Sequence, residues 1–128
     1  MATIRAYTTI EQSRKLAEIL PSESADMEYL VVKETGKLVG CIPFVKDDSE
    51  VEDSAYSHIY DRIACYSLTA LLGVLDYPQL SKDKLGSGKE GWMVSVYPND
   101  CRYDSCWQDN PIDACVTIIE KLNELKLL

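Results

Sequence analysis

The stretch from Trp107 to Leu128 constrains the fold more than any other. Asn110 is a good helix N-cap, because its side-chain oxygen can accept from an orphan backbone N–H. Pro111 falls at the first helical position, where its missing N–H costs nothing. Asp113 sits in the first turn, near the positive end of the helix dipole. Ile112, Cys115, Val116, Ile119 and Leu122 recur at three and four residues, with Ile118 and Leu125 widening the stripe, and Asp113, Thr117, Glu120 and Glu124 run down the other face. A one-sided amphipathic helix must bury its apolar face, so the rest of the chain is read as the sheet and helices that cover it.

Upstream, a first helix opens at Thr8-Thr9-Ile10-Glu11-Gln12, with a capping box from Thr8 and Glu11 or from Thr9 and Gln12, and stops at Pro21. Met27 to Val32 reads as a strand, Glu34-Thr35-Gly36-Lys37 as a turn, and Leu38 to Val45 as a returning strand placed at an edge by Pro43. Five carboxylates between Asp47 and Asp53 read as a solvated loop. Ser67 caps a second helix, Leu68 to Leu75, expected to be buried on most sides. Leu85 to Gly91 is a turn region. Trp92 to Tyr97 is a strand, and Tyr103, Ser105 and Trp107 alternate along its return. The expected fold is α+β, one domain over residues 1–128, with an antiparallel sheet of about four strands and helices packed on it, in the order α-ββ-α-ββ-α.

Twenty-one acidic and thirteen basic residues give a net charge of −8. A duplex nucleic-acid binder needs a basic face to release counterions, so that class is excluded. The charge points to a basic protein partner, and a homodimer is the other assembly considered. Five cysteines cannot all pair within the chain, and none forms a C-x-x-C pair. The opening residues lack the apolar run of a signal peptide, and no run is long enough to span a bilayer. A cytoplasmic protein with free thiols and no membrane partner is expected.

Four stretches, Tyr7 to Pro21, Glu23 to Met27, Cys65 to Leu72 and Asn110 to Cys115, together resemble a family of short uncharacterised proteins of gut anaerobic bacteria, their mobile elements and phages. Tyr66 stands where that family usually has Trp. The resemblance implies an accessory protein and carries no activity.

No catalytic constellation is evident. His58 is the only histidine, and with Cys65 it could form a thiolate–imidazole pair, the basis of an alternative reading as a small ligand-binding protein or cysteine-dependent enzyme. The cysteine spacing does not match a zinc site, the acidic run lacks the glycine of a calcium loop, and Gly88-Lys89 lacks the rest of a phosphate loop. No metal and no cofactor are expected. The remaining signal is aromatic. Tyr56, His58 and Tyr60 share a face if that stretch is extended, and Tyr66 and Trp107 join them as candidate partner- or ligand-binding residues.

Overall fold

A computed structural model describes residues 5–40, 42–46 and 59–128. Along the chain these form α1 (Ile10–Ala17), β1 (Met27–Val32), β2 (Phe44–Val45), β3 (Tyr60–Cys65), α2 (Leu68–Gly73), β4 (Gln79–Lys84), β5 (Glu90–Val96), β6 (Tyr103–Asp104) and α3 (Pro111–Glu124). The fold is α+β. In place of one sheet of about four strands there are two three-stranded antiparallel sheets, ordered β2-β1-β3 and β4-β5-β6. The strands that pattern reading missed are β3 and β4. Gln79 to Lys84 holds a single large apolar residue, Leu80, and Asp61-Arg62 interrupts β3, so neither alternates as a half-buried strand should. Both lie at sheet edges, where charged side chains are tolerated.

The local chemistry of α1 decides between its two capping boxes. Thr9 accepts from the Gln12 N–H at 3.1 Å, and the Gln12 side chain accepts from the Thr9 N–H at 3.0 Å. Thr8 is engaged elsewhere: its hydroxyl accepts from the Tyr66 N–H at 3.1 Å and bonds Ser13 at 2.8 Å. The N-terminal segment is thereby fixed against the end of β3, and a bridge between Tyr7 and Ser67 continues the contact.

In sheet one, β1 and β3 pair along their whole length, from Met27 opposite Cys65 to Val32 opposite Tyr60. The return from β1 is less regular than the Leu38 to Val45 strand expected. Val31 faces Leu38 and Glu28 faces Phe44, so six positions on the return oppose three on β1. The return is irregular there: Gly40 has a φ of 75°, which suits a residue without Cβ, and Pro43 cannot donate to a ladder. Because β2 and β3 both run antiparallel to β1, they are parallel to each other and are joined by a crossover.

Sheet two is a meander with a bulge. Ser95 faces Asp104, whereas Trp92 faces Gln108, so the return carries one extra residue. Ser105 repairs the ladder there. Its N–H donates to the Val94 carbonyl at 2.8 Å, and its hydroxyl accepts the Val94 N–H at 2.9 Å. Ser105→Ala should leave the buried Val94 N–H without a partner and cost about 1–3 kcal/mol. A denaturant melt equal to that of wild type would show that another group takes the bond.

The core gathers around α3. Helix α3 packs against β5 on one side and α2 on another. Asn110 caps it, accepting from the Asp113 N–H at 2.9 Å. Its buried residues are Pro111, Ile112, Ala114, Cys115, Val116, Ile118, Ile119 and Leu122. At about 100° per residue these cover roughly 200° of the helix, twice a minimal apolar stripe. One hydrophobic cluster joins all of these but Pro111 to Leu16 of α1, Leu20 just beyond it, Tyr66, Leu71 of α2, and Val94 and Val96 of β5. Leu125 does not extend the stripe and is 48% exposed. The helix closes in a Schellman turn: Lys126 has φ 58°, its N–H donates to Asn123, and the Leu127 N–H reaches back to Leu122 at 2.8 Å. That turn folds Leu127, rather than Leu125, onto the cluster. Helix α2 ends at Gly73, short of Leu75, and Leu71 is its only fully covered side chain. The helix is therefore only partly buried, not covered on most sides as expected: Leu68, Ala70 and Leu72 are half-buried, and Thr69 and Gly73 are exposed.

Candidate interaction surface

The five aromatic and histidine candidates do not converge among the described residues. Tyr56 and His58 lie outside them. Tyr60 opens β3 opposite Val32 and is half-buried. Trp107 is 40% exposed in the segment between β6 and α3, beyond the other sheet. Tyr66 is a core residue: it is completely buried, with its hydroxyl 3.2 Å from both Ser24 Oγ and the Pro21 carbonyl. Burial raises its pKa. It is therefore not available to a partner. An aromatic immediately before a capped helix can be an anchor or a core plug, and the sequence does not separate the two.

Cys65 is also sealed. Its Sγ lies 3.5 Å from Thr8 Oγ1 and from the Thr8 carbonyl, and Thr8 is bonded in turn to Ser13. The Tyr29 hydroxyl donates to the same carbonyl at 2.7 Å. Burial pushes the Cys65 thiol above its ordinary pKa, against hydrogen bonds with Thr8 and Ser13 that favour the thiolate. Burial also raises Tyr29, and it pushes Cys115 up to about 12. A protonated, enclosed thiol is a poor nucleophile. The network leaves no buried side-chain polar atom unpaired among the described residues, so it works as a joint between α1, β1 and β3.

Asp113 makes a similar joint. It receives Arg5 at 3.3 Å, Gln12 at 2.7 Å and Asn110 at 2.8 Å, which ties the N-terminal segment and α1 to the start of α3. On sheet two, the Asp104 carboxylate is held by Ser95 at 2.6 Å and Arg102 at 2.9 Å, and both bonds lower its pKa. No group of three or more His, Cys, Asp or Glu side chains among the described residues could hold a metal.

Cys101 and Cys106, on either side of β6, are exposed free thiols, whereas Cys65 and Cys115 are buried. In a Cys41→Ser background, a thiol reagent should label Cys101 and Cys106 in the native protein, and Cys65 and Cys115 only after unfolding. Native labelling of Cys65 as fast as that of Cys101 would contradict its burial.

The sheet edges differ in protection. On β4 the Leu85 N–H bonds inward to Lys89, so by alternation Leu80, Lys82 and Lys84 turn their backbone groups outward. The outward Lys84 N–H is taken by Asp83 Oδ1 at 2.8 Å, and Lys82 lies over the Trp92 ring and pairs with Glu90. Lysines on an edge discourage strand addition. On β2 the Lys46 N–H bonds inward to Asp26, which leaves the backbone of Val45 facing outward. Pro43 and the brevity of β2 blunt that edge too, but its side chains are apolar. Leu38, Ile42, Phe44 and Val45, with Ile59 at the entry to β3, are 42% to 79% exposed. Leu38 faces Val31, Phe44 faces Glu28 and Val45 faces Met27, with Ile42 in the return between them, whereas the Ile59 carbonyl accepts from Lys33 at the opposite edge of the same sheet. Among the described residues nine large hydrophobic side chains are exposed; Leu38, Ile42, Phe44 and Val45 make an apolar rim along the β2 edge and its approach, and Ile59 stands apart at the opposite edge. The signal in the sequence was Phe44 beside Val45, adjacent apolar residues that a strand must turn to opposite faces.

The chain matches no protein-family model, no curated protein and no solved structure. No helix among the described residues is long and apolar enough to cross a membrane.

Proposed function

We propose that the chain is a non-enzymatic cytoplasmic accessory protein that acts by binding another protein through the apolar rim of sheet one. The observation that carries this reading is the concentration of exposed Leu38, Ile42, Phe44 and Val45 along the β2 edge of sheet one. Clustered exposed apolar side chains mark interaction sites more often than scattered ones do. Covering one such side chain contributes roughly 1.5–3 kcal/mol. The net charge of −8 favours a basic partner over a second copy, which would carry the same charge. The resemblance to short uncharacterised proteins of gut anaerobic bacteria, their mobile elements and phages implies an accessory protein and carries no activity. The alternative, a cysteine-dependent enzyme, is weakened by the burial and raised pKa of Cys65.

The test is capture by immobilised protein from host extract, comparing wild type with V45E and with C65A. The charged rim variant should lose captured partner by about tenfold or more, the effect of removing one anchor worth ~1.4 kcal/mol. Its melting temperature should stay close to that of wild type, because the Val45 side chain is 79% exposed. Capture that survives the charged rim, or that fails only in folded C65A, would refute this reading.

A further inference from the structure

We draw no further inference here: the strongest candidate, the cleft of about 150 Å³ between the end of α2, β5 and the closing turn of α3, is walled by Leu75, Val96, Leu122 and Leu127 beside Asp76, and nothing in the structure shows what would cover or fill it.

Discussion

Replacing Tyr66 with Ala should cost about 3–5 kcal/mol, the range for deleting a large buried aromatic. Tyr66 is fully buried and heads the completely enclosed side chains by volume. It sits where β3 ends and α2 begins, and it belongs to the cluster that also holds Leu16, Leu71 and Ile119. Its removal would open a cavity at the junction of both halves of the chain. Tyr66→Phe separates packing from polarity. The hydroxyl bonds Ser24 and the Pro21 carbonyl, but Ser24 itself donates to that carbonyl at 2.6 Å. Loss of the hydroxyl therefore strands no carbonyl, and Phe should cost about 0.5–1.5 kcal/mol. Denaturant melts of the two variants check this. A Phe variant as unstable as the Ala variant would mean that the hydrogen bonds, not the ring, hold the junction.

Ile119→Ala should cost about 2–5 kcal/mol, and its neighbour Glu120→Ala no more than about 0.5 kcal/mol. Ile119 has no exposed surface and lies among the buried residues of α3, whereas Glu120 lies on the face shared with Lys121 and Glu124. The first loss is a large part of the roughly 5–15 kcal/mol that holds an ordinary domain together. The two sites share backbone and differ in facing, so their contrast in urea melts reports the orientation of α3. Equal losses would overturn that orientation.

Helix α3 was readable because three independent signals agreed: the Asn110 cap, Pro111 at the first position, and an apolar repeat of three and four. The same holds for β1, whose expected bounds Met27 and Val32 are those observed. Readability failed where tertiary context replaced pattern. Strand β4 is stabilised by its pairing with β5 and not by its own hydrophobicity. The closing turn of α3 uses Lys126 at positive φ, where glycine would have announced it. The role of Tyr66 depended on what closes over it, which comes from residues more than forty positions away, such as Ser24 and Pro21. The rim escaped notice because a strand assignment does not say which of its apolar residues remain uncovered. The Cys65 environment likewise depends on Thr8 and Tyr29, both distant in sequence.

Photo-cross-linking in living cells tests the central claim most directly. A photoreactive amino acid replaces Val45 in one variant and Lys89, in the turn of the β4–β5 hairpin, in another; both positions are exposed. If the rim of sheet one is the working surface, the probe at Val45 should give a discrete adduct with a second protein, and the probe at Lys89 should give none. An adduct from Lys89 and none from Val45 would contradict the account.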